Sequence, residues 1–266
     1  MSSHSRFSSK ILFGLLAMTL LRSQSTVAED FARASQLVGQ RHLDDAIPIL
    51  ESVISRAPRF YPAYRVLVDA YEERHTPEQA TAYFSTLLHD PERSAFAHYA
   101  LGRVAEPESR WDEALDHYAA CVQQLPDSVP CYKVLADSLF YATKQSATVE
   151  DLASRIPDSR QGPSCLAFTH FFVLQRKITE GLHAAQRCLD QADALGQVDF
   201  EVAAHDSIAG AYEATGADHD QALIHSRVSA QLAAQLDDPE TAFEHNRGLR
   251  RAPVVRHENQ GQIAVR

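Results

Sequence analysis

Thirteen histidines and four cysteines are the residues of this chain best equipped for chemistry. An imidazole moves protons near neutral pH or ligates a metal; a thiol ligates zinc or pairs into a disulfide. Spacing decides between these uses. No G-x-S-x-G, H-E-x-x-H, phosphate loop or G-x-G-x-x-G occurs, so the motif-borne hydrolase, metalloprotease and nucleotide chemistries have no signature here. His257-Glu258 stands in the C-terminal tail without a second histidine. Asp218, His219 and Asp220 lie near His225, but the two histidines stand six apart in sequence, which misses the i, i+4 spacing of one helical face. They read as polar turn residues, and neither a metal nor a cofactor is expected. The thiols Cys121, Cys131, Cys165 and Cys188 form no C-x-x-C pair, which excludes the usual zinc spacing.

Pairing of those thiols depends on the elements that carry them. Apolar residues recur at helical spacing almost throughout, with no sustained period of two. Cys165 lies ten residues before a turn near 175–178, and Cys188 about as far after it. In an antiparallel hairpin they share a height. Cys121 and Cys131 flank the Pro126–Pro130 loop in the same way. Bridges Cys121–Cys131 and Cys165–Cys188 are favoured among the three connectivities; the alternative is four buried thiols acting as small apolar residues.

The helices repeat. Ala114 has counterparts at Ala80 and Ala46, each 34 residues earlier. Tyr118 steps back to Phe84 and Leu50, and Cys121 to Leu87 and Val53. Pro126 answers to Pro91 and Pro58. Upstream, His98-x-x-Leu101-Gly102 matches Tyr64-x-x-Leu67-Val68 and Tyr132-x-x-Leu135-Ala136. Hairpins are expected at 29–58, 61–91, 95–126 and 129–157, with two longer ones at 164–195 and 199–237. Thr76-Pro77-Glu78-Gln79 and, more weakly, Ser109-Arg110-Trp111-Asp112 and Thr148-Val149-Glu150-Asp151 read as helix starts with capping side chains.

The ends differ from this body. Residues 1–28 carry Arg6, Lys10 and Arg22, no acid, and the apolar run Ile11–Leu21. A basic start, a short apolar run and small residues at Thr26 and Ala28 read as a signal peptide cleaved after Ala28, with a periplasmic or secreted product. Residues 158–163 read as a linker, 164–246 as the two longer hairpins and a capping helix, and 247–266 as a disordered tail holding five Arg and one Glu. That tail is a solvated end, a segment docked on the acidic body, or a contact to an anionic surface, membranes included. The net charge of −10 argues against nucleic acid as partner.

The third unit, through Leu101-Gly102, Ala105, Trp111, Ala114, Tyr118, Cys121 and Pro126, resembles the tetratricopeptide repeat family. The second unit follows it through Tyr64, Leu67, Tyr71, Ala80, Phe84 and Leu87. The resemblance covers 29–237, strongest over 61–126. It implies an all-α fold, an α-solenoid of about six helix hairpins wound as a superhelix, whose first helices line a concave groove. Groove positions would be Arg65, Asp69, Tyr99, Arg103, Lys133, Asp137 and His170. Asp69 and Arg103 stand where relatives that grip a peptide carboxylate carry Asn, so that clamp is not expected. The mixed charges suit a protein or peptide partner, and the chain reads as an exported scaffold or assembly factor rather than an enzyme. The alternatives are an enzyme or accessory subunit using His170 or the His219–His225 region, and a self-assembling structural protein.

Overall fold

The computed structural model describes residues 25–156, 162–216 and 218–236. Most of the expected leader, most of the linker, the capping helix and the basic tail lie outside them. Every regular element among the described residues is helical. The described residues form twelve α-helices: α1 Val27–Gly39, α2 Leu43–Arg56, α3 Tyr61–Glu73, α4 Pro77–Leu87, α5 Ser94–Ala105, α6 Trp111–Gln124, α7 Val129–Ala142, α8 Val149–Ala153, α9 Ser164–Leu174, α10 Ile178–Leu195, α11 Val198–Thr215 and α12 His219–Leu236. A 3-10 turn, Glu106–Glu108, extends α5.

Apart from α7 and the short α8, helices pack on their chain neighbours, and α1 packs on α3, α3 on α5, α7 on α9 and α9 on α11. The first members of successive pairs therefore touch each other at every step but the third, where α7 packs on α6 instead. Ala46, Ala80 and Ala114 are fully buried, as are Leu50, Phe84 and Tyr118. Small residues bring the helices of a pair close, and large ones fill what remains.

The turns inside the pairs share one geometry. The first helix of each pair ends in a left-handed residue: Arg41, His75, Ser109, Lys144, Arg176 and Gly216. In the first five, the next residue donates its amide to the carbonyl five back, as in His42 to Leu37 at 2.9 Å and Thr76 to Tyr71 at 3.0 Å. The left-handed residue donates three back, as in Ser109 to Glu106 at 2.8 Å. This closing pattern satisfies carbonyls that the helix end would otherwise leave bare. Arg41, His75 and Ser109 stand 34 residues apart, the spacing of the alanines.

Two helix starts differ from expectation. Thr76 does not cap α4; its hydroxyl donates backward to the Tyr71 carbonyl at 3.5 Å. Ser109 is the left-handed turn residue and caps nothing. Thr148 does form its capping box with Asp151. A second box, unforeseen, joins Thr26 and Glu29 at the start of α1: the Thr26 amide donates to the Glu29 carboxylate at 2.8 Å, and the Glu29 amide to the Thr26 hydroxyl at 3.1 Å. Trp111, at the first position of α6, stacks on Tyr141 with ring centroids 4.8 Å apart.

Buried apolar side chains form two clusters. One draws on α1 to α5, the other on α5 to α11. They divide within α5: Phe96, Ala97, Ala100, Leu101 and Val104 belong to the first, Tyr99 and Ala105 to the second. Tyr61 packs against both.

The four cysteines lie as the hairpin heights suggested. Cys121 of α6 faces Cys131 of α7 with Cα atoms 6.1 Å apart, and Cys165 of α9 faces Cys188 of α10 at 5.6 Å; both pairs are at disulfide distance. Two such pairs fit an oxidising, extracytoplasmic environment. No helix among the described residues is long and apolar enough to cross a membrane.

Candidate functional site

The expected groove residues fall on the first helices of pairs two to five, namely α3, α5, α7 and α9. On α3, Arg65 and Asp69 are one turn apart and pair at 3.7 Å, Arg65 exposed and Asp69 partly so. Lys133 on α7 is exposed and makes no ion pair among the described residues. One turn on, Asp137 reaches across to α9, where His170 Nε2 donates to its Oδ1 at 2.6 Å. Two residues 33 apart in sequence are thus joined across neighbouring pairs.

Tyr99 is placed otherwise than expected. It is 2 % exposed, so it lies within the wall and not on its surface. Its hydroxyl meets that of Tyr61 at 3.1 Å, linking α5 to α3. Arg103 is only partly accessible and lies 3.4 Å from Glu106. Glu106 also accepts a hydrogen bond from the buried Tyr118 hydroxyl at 2.7 Å. Burial pushes the Glu106 carboxyl up, against the opposing pull of Tyr118 and Arg103. Burial alone would lower the Arg103 pKa, but Tyr99, Glu106 and Tyr118 outweigh it and hold the guanidinium firmly charged. Tyr118 is raised well above the ordinary phenol by burial and by the Glu106 carboxylate. The result is a half-buried Tyr–Glu–Arg cluster rather than a free cation.

Arg103 also borders a cleft of about 260 Å³ at the turn end of α3, α4 and α5. Its walls are mainly apolar, with Val68, Tyr71, Ala80 and Val104 inside and Glu72 and Glu108 beside Arg103.

Two histidine pairs lie apart from this strip. His98 Nδ1 of α5 is 2.9 Å from His117 Nδ1 of α6, and His205 Nδ1 of α11 is 2.8 Å from His225 Nδ1 of α12. His225 therefore meets His205 rather than His219, which is exposed at the start of α12. Asp218 accepts from the Gln221 amide at 3.0 Å, the turn role expected of it. Sequence reasoning missed these pairs, together with Glu106, Tyr61 and the cleft. The signal was present in register: His98 and His205 each stand four residues before Gly102 and Ala209, and His117 and His225 three after Ala114 and Ala222. Among the described residues no group of three or more His, Cys, Asp or Glu is placed to hold a metal ion.

No family model matches the chain, and no curated protein matches it either.

Proposed function

We propose that this protein is an exported scaffold of the tetratricopeptide type, in which six hairpins stack as a solenoid and the first helices present a groove to a protein or peptide partner. The observation that carries this reading is the polar strip along α3, α5, α7 and α9. Its members are Arg65–Asp69, Arg103–Glu106, Lys133 and Asp137–His170. Charged and hydrogen-bonding groups of both signs, held on rigid helices, recognise an extended chain at little ordering cost to the receptor. The packing of alternate helices and the 34-residue recurrence of the left-handed turn support the stacking. Cysteine pairs at disulfide distance support export to the periplasm or beyond.

The test is capture of partners from the exported fraction by the wild-type protein and by an Arg65→Glu/Lys133→Glu variant. Both side chains are exposed, so the fold should tolerate the change. Arg65→Glu would face Asp69 where water screens the repulsion, whereas at the more buried Arg103 a carboxylate would face Glu106 with less screening, so Arg103 is unsuited to the test. A partner held by the wild type and lost by the variant, with helicity unchanged, is the expected result. Equal capture by both proteins would remove the groove from the explanation.

A further inference from the structure

The repeat has its own way of using the position where His98 and His205 stand. At that position the second and fourth pairs carry tyrosines. Tyr64 donates to the Pro58 carbonyl at 2.8 Å and Tyr132 to the Pro126 carbonyl at 2.6 Å, tying each pair to the one before it. In the third and sixth pairs a histidine replaces the tyrosine. It turns instead to a second histidine on its own partner helix, Nδ1 to Nδ1. The same substitution with the same companion, at the same offsets, occurs twice in one chain. Packing alone would be served by tyrosine.

Two imidazoles facing through Nδ1 share one proton, so two nitrogen lone pairs converge on one point. We propose that each pair is a binding site for a borderline transition-metal ion such as Zn2+ or Cu2+, cross-linking the two helices of its hairpin. Neutral imidazole is the favoured ligand of these ions. Tetrahedral zinc holds nitrogens at about 2.0–2.1 Å, which sets them about 3.3 Å apart, so the rings need part by only about 0.4–0.5 Å. On binding, the donating ring re-forms as its Nε2–H tautomer. Both rings stay neutral, and no net proton is released near neutral pH.

The surroundings favour a cation. Burial keeps all four rings neutral, so protons do not compete with the metal at pH 7. Asp116 and Glu113 act on His117, with Arg110 opposing them, and Asp193 and Asp206 act on His205. Glu113 pairs with Arg110, and Asp206 accepts a hydrogen bond from Ser229, so these groups supply field rather than ligation. Each metal would keep open positions for water or for a donor from a partner.

Zn2+ titrated calorimetrically into the full chain should bind with a stoichiometry of two, and the melting temperature should rise with it. His98→Tyr and His205→Tyr, which restore the repeat's own residue, should each remove one equivalent, and the double variant both. His117→Phe repeats the first test from the opposite helix. Absence of saturable binding in the wild type would overturn the proposal. So would a double variant that keeps the wild-type stoichiometry, since other histidines would then be the ligands. Neither outcome touches the groove, whose test uses different residues.

Discussion

Gly102 is glycine because Tyr118 occupies the space a side chain would need. A Cβ there would lie 2.4 Å from Tyr118 Cε1, and that ring is fully buried with its hydroxyl held by Glu106. Gly102→Ala should therefore destabilise by about 1–3 kcal/mol, read from the urea midpoint. Ser109 is the opposite case. Its left-handed backbone, φ 57°, strains any residue with a Cβ, so Ser109→Gly should raise stability by up to about 1 kcal/mol. The paired histidines carry a pH dependence of definite sign. Burial, with the neighbouring ring adding to it, lowers His98 and His205 from 6.5 to about 4. The unfolded chain takes up their protons near pH 6.5 and the folded chain only near pH 4. Stability should fall as pH drops through that interval and be indifferent to these rings above it. The urea midpoint should be lower at pH 4.5 than at pH 7, and the His98→Tyr/His205→Tyr variant should flatten the difference. These residue-level facts were poorly legible in the sequence. The small Ala114 and large Tyr118 could be read from period alone, but the partner of His225 could not. A histidine's neighbour across a hairpin depends on an extra turn residue that shifts the register by one, so that His98 and His117 are 19 apart and His205 and His225 are 20.

At the scale of elements, the helices begin and end close to where apolar period and proline place them. Proline stands in the first turn of α3, α4 and α7, where its missing amide costs nothing. Side-chain capping was less legible. Thr76 has the right neighbours, yet the turn closed by its own amide on the Tyr71 carbonyl turns its hydroxyl the wrong way. Thr26 was hidden by its place beside an expected cleavage site, and a cut after Ala28 would take the α1 cap with it. The cysteine pairs were legible because hairpin geometry fixes which residues share a height. Each should stabilise by about 3 kcal/mol on the loop-closure view, given separations of 10 and 23 residues. A non-reducing thiol count should be zero, and reductant should lower the urea midpoint measurably. Cys165→Ser/Cys188→Ser should reproduce most of the loss from the longer loop.

Across the whole molecule, the two apolar clusters share α5 as their common wall. All four cysteines lie in the second cluster, and the first is held by aromatic packing such as Tyr64 on Phe84 and Phe96. Hydrogen exchange should resolve two protected blocks meeting near residues 94–105, with reductant loosening only the later one. Stretched between its ends, the chain should give way in two steps. The N-terminal block should yield first, because no covalent tie spans it, while the segments closed at Cys121–Cys131 and Cys165–Cys188 stay shut under the same load.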